Sequence, residues 1–501
     1  MRRTLVFSLI TLAAVTLTAQ SARTPAPRLW TDQALKAFAL PIAGVNAAPT
    51  FYSEAEYYAA PVDELRTYPV YVNGREPKGY RDWMRGQGPK PLIEIGKSRT
   101  EAEWVAEGRE IFDGLDIAHN RTDDPRAIAW VDEGGPEREH ALITKDGVVV
   151  SLRWVVDHDR KLKLTINECG ACHTRALSDG TAISGAQGNL NFNLSFFGLI
   201  FEHENAVNRA LGRSRTGAEA AYANYGVPWL AADVNAGFKT MAAAERDRID
   251  GPPQTPGTFP RFGGSPYFTN HMPDLIGVKD RRYLDATATH RNRGPEDVAR
   301  YGILVTDADD GAIGPHRFQP DHVRALHNRH SDDAMYAIGK YVYALEPPNN
   351  PNRPDAVTAR GQQVFARAGC ASCHTPPLYT NNKLVAVDGF TPFAHDQAPP
   401  AADVMNVTLG LDPGLALRTR KGTGYYKVPS LKGVWYRGPL EHSGSIATLE
   451  EWFDPARLRP DYAPQGWNPP DVKTRAIPGH PFGLNLNADD KRALIAFLKT
   501  L

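Results

Sequence analysis

Cysteine is almost absent from this chain, with four residues among 501. Four thiols are too few to staple a chain of this length, so a disulfide scaffold is excluded. Excess charge is absent too: 57 lysines and arginines balance 57 aspartates and glutamates. No net field therefore points to nucleic acid or to an anionic membrane as a partner. Long apolar runs are missing except at the start, where "MRR" precedes "TLVFSLITLAAVTLT" and the small residues "AQSA" follow. That order reads as a secretory signal peptide over residues 1–22, with an uncleaved anchor as the alternative. The run is short for a spanning helix. The mature chain is expected to be periplasmic or secreted, with no membrane attachment once the signal is removed.

What is present is concentrated. All four cysteines fall in two copies of Cys-x-x-Cys-His, inside "NECGACHT" (Asn167 to Thr174) and "AGCASCHT" (Ala368 to Thr375). With 15 histidines in the chain, a given cysteine meets that pattern by chance on the order of 10⁻⁴ of the time. A disulfide or a redox dithiol leaves His173 and His374 unexplained. Structural zinc draws on separated ligand pairs, and neither motif has the remaining ligands nearby. The spacing fits covalent c-type haem, with thioethers from Cys169 and Cys172 and proximal ligand His173, then again from Cys370, Cys373 and His374. Two covalent haem groups are expected.

The chain around the motifs looks duplicated. "AEGREIF" (Ala106 to Phe112) echoes "ARGQQVF" (Ala359 to Phe365), each a helical Gly-x-x-Ile/Val-Phe segment ahead of its motif. A closing helix follows in each copy. "SDDAMYAIGKYVYALEPP" starts at a Ser331 cap and stops at Pro347, and "NADDKRALIAFLKTL" starts at an Asn487 cap. Both carry acids in the first turn, where the helix dipole favours them. The first copy holds an insertion in which "GVVVSLRWVV" and "KLKLTI" flank "DHDR", a β-hairpin with its turn at Asp157 to Arg160. The division read from this order is a signal peptide 1–22, an N-terminal extension 23–99, a first module 100–346, a proline-rich linker 347–355 and a second module 356–501. The extension is expected to drape over the modules. The acidic runs "TDADDG" (Thr306 to Gly311) and "RTDDP" (Arg121 to Pro125) are calcium candidates without the full ligand spacing of a calcium loop.

Two Cys-x-x-Cys-His modules, a Pro/Asn linker and then "KVPSLKGVWYRGPLEHSGSIATLEEWFDP" (Lys427 to Pro455) resemble the bacterial di-haem cytochrome c peroxidases over residues 100 to 501. Within that superfamily "GVWYRGP" and "PGHPFGLNL" look most like the rubber oxygenase branch, which cleaves polyisoprene with dioxygen. The resemblance implies a mainly α-helical fold of two cytochrome c-like modules packed together, with a β-hairpin insertion and a loop-rich N-terminal segment. It implies a haem-dependent oxidoreductase, either a dioxygenase or a peroxidase. Its partners would be a small redox cytochrome or another electron donor and, for an oxygenase, an apolar or polymeric substrate.

Two departures from the peroxidase pattern bear on the sites. The peroxidases place a methionine on the second haem after the His-x-Gly segment, but the last methionine here is Met405. Rubber oxygenases use a histidine near the C-terminus, and Gly479-His480-Pro481 matches that position. His480 is thus the expected distal metal ligand of haem two, with Met405, His395 and His442 as competitors. The peroxidases also hold a distal histidine just beyond the first motif, but none occurs between His173 and His203. Haem one is then expected to keep an open position and to be the reacting centre, with His173 as its catalytic proximal ligand, unless His271 or His290 swings over the iron. Trp229 and Trp435 are implied as candidates for assisting electron transfer between haems, with core filling as the alternative for each. A pure electron-transfer cytochrome with two six-coordinate irons is the competing class.

Overall fold

The computed structural model describes residues 22–31, 33–34, 50–51, 53–210, 242, 255–260, 269–288, 290–306, 312–313, 316–317, 328–391, 399–418, 423–469 and 472–501. Two helix pairs carry the architecture. The first opening helix, Glu101–Gly114, begins at a capping box: Thr100 Oγ1 accepts from the Glu103 N–H, and the Glu103 carboxylate accepts from the Thr100 N–H. The second, Ala356–Arg367, repeats the exchange between Asp355 and Thr358. Their closing partners, Asp332–Ala344 and Ala488–Lys499, start at the expected Ser331 and Asn487 caps.

Each pair crosses at a glycine. A Cβ added to Gly108 would lie 2.0 Å from the Ala337 carbonyl oxygen, and one at Gly361 would lie 1.9 Å from that of Ala493. No other residue allows backbones so close, which is why the Gly-x-x-Ile/Val-Phe echo exists. The phenylalanine of each echo packs edge-on across the crossing, Phe112 on Tyr341 at 5.3 Å and Phe365 on Phe497 at 5.5 Å between ring centres.

The hairpin forms as its sequence predicts. Strands Val148–Val156 and Leu162–Ile166 pair antiparallel, with Trp154 opposite Leu164. The turn closes by a 3.0 Å bond from Asp157 N–H to Lys161 O, with Arg160 in the left-handed region. Strand Thr67–Tyr71 adds to the other edge, so the N-terminal segment is woven into this sheet. Leu29, Trp30 and Tyr57 are fully buried in the same cluster as Trp104 and Ala337.

The expectation of a mainly helical fold needs correction, because the chain is mixed. Among the described residues, six two- or three-stranded sheets lie between the helices. Most strands are as short as Leu384–Ala386 and Tyr425–Lys427. Pieces this brief satisfy backbone hydrogen bonds in loops yet show too few residues for an alternating pattern to be legible. No helix among the described residues is long and apolar enough to cross a membrane. Residues 1–21 of the expected signal segment lie outside the described residues.

Candidate cofactor site

Each motif forms one tight turn. Cys169–Cys172 is a single helical turn whose end bonds His173 N–H to Cys169 O at 3.0 Å. In the second motif His374 N–H reaches Cys370 O at 2.9 Å. The turn collects two thiols and one imidazole, and no disulfide forms among the four cysteines. All six side chains line one cavity of about 1330 Å³, shared by both motifs. Pockets for drug-sized ligands commonly measure about 300–1,000 Å³.

The imidazoles are oriented from behind. His173 Nδ1 lies 3.0 Å from the Pro273 carbonyl, and His374 Nδ1 lies 3.1 Å from that of Pro429 and 3.2 Å from that of Tyr379. A carbonyl only accepts, so Nδ1 carries the proton and Nε2 keeps its lone pair for a metal. Burial favours the same neutral form, lowering the pKa of His173 to about 4 and that of His374 as well.

His480 faces His374, with ring centres 6.4 Å apart. Imidazole nitrogens bind transition metals at about 2 Å, so two imidazoles facing each other at this separation could hold one metal ion between them. His480 Nδ1 is buried without a hydrogen-bond partner, and burial, followed by the neighbouring His374, lowers its pKa to about 4. Its backbone is held in an unusual state. His480 has φ 49° and follows Gly479 at φ 86°, a conformation that persists in a non-glycine residue only where the surroundings impose it. Arg457, 1% exposed, imposes it by donating to the carbonyls of Trp452, Ile477, Gly479 and His480.

The competitors are held differently. Met405 Sδ lies 3.9 Å from Cys373 Sγ but does not itself line the cavity. His442 lines the cavity but stacks on Tyr426 at 4.5 Å and pairs with the Glu441 carboxylate. His271 also lines it, tied by Nδ1 to Glu441 O at 2.6 Å and by its N–H to His442 O at 3.1 Å. His290 is buried against Tyr301, outside the lining. Trp435 packs edge-on to Tyr436 and does not line the cavity either. His395 and Trp229 lie outside the described residues. So does most of the acidic run ending at Gly311. In the other run Asp123 pairs with Lys161, and Asp124 caps the helix Pro125–Asp132 and binds Arg126. Among the described residues no cluster of three or more His, Cys, Asp or Glu is placed to hold a metal ion.

Sequence reasoning missed a repeat that positions both sites. "HMPDLIGVKDR" (His271 to Arg281) and "KVPSLKGVWYR" (Lys427 to Arg437) share Pro, Leu, Gly, Val and Arg in register. Gly277 and Gly433 both have φ 75°. Val278 N–H bonds Leu275 O at 3.0 Å and Val434 N–H bonds Leu431 O at 3.1 Å. The proline of each copy supplies the carbonyl that fixes the proximal imidazole. The signal was a second echo of Pro-x-Leu-x-Gly-Val, of which only the later copy was singled out.

Two thiols, an oriented imidazole and an adjoining apolar cavity are what covalent haem requires, and both motifs supply them. The chain matches no known protein-family profile. It is 26% identical over 220 residues to cytochrome-c peroxidase IdrP1 of Pseudomonas sp. (strain SCT), a match covering 37% of this chain and 55% of that protein. It is 23% identical over 278 residues to cytochrome-c peroxidase IdrP2 of the same organism, covering 47% of this chain and 68% of the other. The chain thus spans about half to two thirds of these relatives. They support the cytochrome c peroxidase superfamily, and with it haem c, and give no support to the oxygenase branch. A MauG-like protein associated with microbial copper homeostasis overlaps 57% of this chain and 86% of its own at 16% identity, with a TM-score of 0.29, too low to carry an argument.

Proposed function

We propose that this chain is an exported di-haem c-type cytochrome that acts as a peroxidase-like oxidoreductase. In this reading the modules are residues 100–346 and 356–501, joined by the linker 347–355. Cys169, Cys172 and His173 hold a reacting haem, while Cys370, Cys373, His374 and His480 hold one that passes electrons. The observation that carries the reading is an asymmetry. His374 has an imidazole opposite it at 6.4 Å, whereas of the other cavity-lining histidines among the described residues His442 pairs with the Glu441 carboxylate and His271, held by Nδ1 at the Glu441 carbonyl, makes no comparable ring contact with His173. Among the described residues His173 has no comparable partner.

Haem supplies oxidant binding at an open iron position and one-electron exchange at a six-coordinate one. The chain's own part is to fix each proximal imidazole through a proline carbonyl, and to close the second site with His480. Around the first motif it keeps an apolar wall, in which Phe192 packs on Phe197 at 5.3 Å and on Phe259 at 4.9 Å. Electrons would come from a small redox cytochrome or another donor. A second reading, oxygen-dependent cleavage of an apolar or polymeric substrate, is favoured by that wall and by His480 standing where peroxidases use methionine. A pure electron carrier is the remaining alternative.

The ferric spectrum tests the reading. One high-spin or ligand-accepting haem beside one low-spin haem is expected, and two low-spin haems that refuse cyanide and peroxide would overturn it. H₂O₂ turnover with a reduced cytochrome, set against O₂ uptake with polyisoprene latex, separates peroxidase from oxygenase.

A further inference from the structure

The duplicated segment does more than supply two carbonyls. Its last residue is an arginine in both copies, Arg281 and Arg437, and its first is basic in both, His271 and Lys427. All four line the shared cavity, and three of them gather at one place. Arg281 is the charged neighbour that, after burial, most disfavours the Lys427 ammonium, whose pKa falls to about 7. Arg437 in turn acts on Arg281, and both act on the Asp274 carboxylate.

The counter-charge here is incomplete. Among the described residues Lys427 Nζ makes one long bond, 3.3 Å to the Tyr283 carbonyl, although an ammonium offers three donors. Arg437 Nη2 donates to Ser430 O at 2.6 Å, but its Nε, 3.8 Å from Asp274 Oδ2, has no hydrogen-bond partner among the described residues. Asp274 already accepts from Tyr436 Oη at 3.1 Å, and Asp285 from Tyr301 Oη at 2.8 Å. Three cations stand here against two carboxylates, Asp274 and Asp285, and the excess positive charge is costly to bury unless another anion completes the set.

We propose that Arg281, Lys427 and Arg437 form one anion cradle, built from the same segment of both modules, that takes propionate carboxylates of the two porphyrins. This rests on the di-haem reading above. Guanidinium groups suit carboxylates because their donors match both oxygens at once. A cradle drawn from both modules would bring the same cations to bear on both haems, and a positive charge close by would favour the reduced state.

Redox titration followed by the haem absorption bands, together with resonance Raman of the propionate bending modes, tests this on the full chain. Lys427→Met and Arg281→Met should each lower the midpoint potential of both haems and shift the bending bands, while Lys427→Arg restores both. Lys427→Gln, which loses the charge but keeps a donor, should give the same drop if the methionine variant does not fold. Unmoved potentials and bands in variants that retain two covalent haems would overturn the cradle alone. A wild-type preparation without covalent haem would overturn the cradle and the di-haem reading together.

Discussion

Arg457 reaches the carbonyl oxygens of Gly479 and His480 at 2.9 and 3.0 Å and so holds His480 in a left-handed backbone state, its ring turned toward His374. A long-range clamp of this kind gives a loop residue the rigidity of a helical one. Replacing His480 with alanine should turn the second haem from low spin to high spin in electron paramagnetic resonance, leaving the first unaffected. An unchanged spectrum would return Met405 to consideration.

The clamp itself makes a separate prediction. Arg457→Ala removes the donor from one buried carbonyl, that of Ile477, and from three half-buried ones, and should cost about 3 kcal/mol in urea unfolding. At the same time a mixed-spin signal should appear at the second site as His480 loses its fixed approach. A loss of stability with a fully low-spin second haem would show that the clamp serves packing alone.

Crowding at the two helix crossings is equally checkable. Gly108→Ala and Gly361→Ala each force a methyl to within about 2 Å of a carbonyl oxygen, a strain that overpacked cores usually register as about 1–3 kcal/mol of lost stability. Denaturant midpoints should fall for both. Full stability in either variant would mean that the helices can separate without penalty.

Haem stoichiometry separates the motifs. The pyridine haemochrome signal per chain should halve for Cys169→Ala/Cys172→Ala and for Cys370→Ala/Cys373→Ala, each losing one group. An unchanged signal in either pair would remove that motif as an attachment site.

Asp332 supplies a pH dependence that does not depend on the cofactors. Burial raises its pKa to about 6, although Tyr58 Oη donates to it at 3.0 Å. A carboxyl whose folded pKa exceeds its unfolded value adds stability that is present below about pH 4 and disappears as pH rises through 6. Asp332→Asn should therefore stabilise the chain at pH 7 by about 2 kcal/mol and leave it unchanged at pH 4. A similar gain at both pH values would trace the effect to something other than ionisation.

Much of this was legible in the sequence because it was written in side chains. The Cys-x-x-Cys-His motifs, the Ser331 and Asn487 caps, the hairpin around Asp157 and the glycine of each opening helix all announce themselves by residue type and spacing. His480 was legible only as one candidate among several, since a single histidine in a loop says nothing about what it faces. The roles of Pro273 and Pro429 were not legible, because the working atom is a backbone carbonyl that every residue possesses. Lys427 and Arg437 were hidden for a different reason. They sit in a segment whose earlier copy, ending at Arg281, was not recognised as its echo.

The carbonyl that orients His173 comes from 100 residues downstream, and the one that orients His374 from 55 residues downstream. Each thiol pair, by contrast, is complete within its own five residues. Attachment and orientation are thus separate events in the life of the chain. A cofactor can be joined to the first motif while the rest of the polypeptide is still emerging. In the di-haem reading, a group attached at the first motif would find its orienting carbonyl only once Pro273 is in place, and the second site would wait for Pro429 and His480. Under that reading the two sites would be completed in chain order, the first before the second.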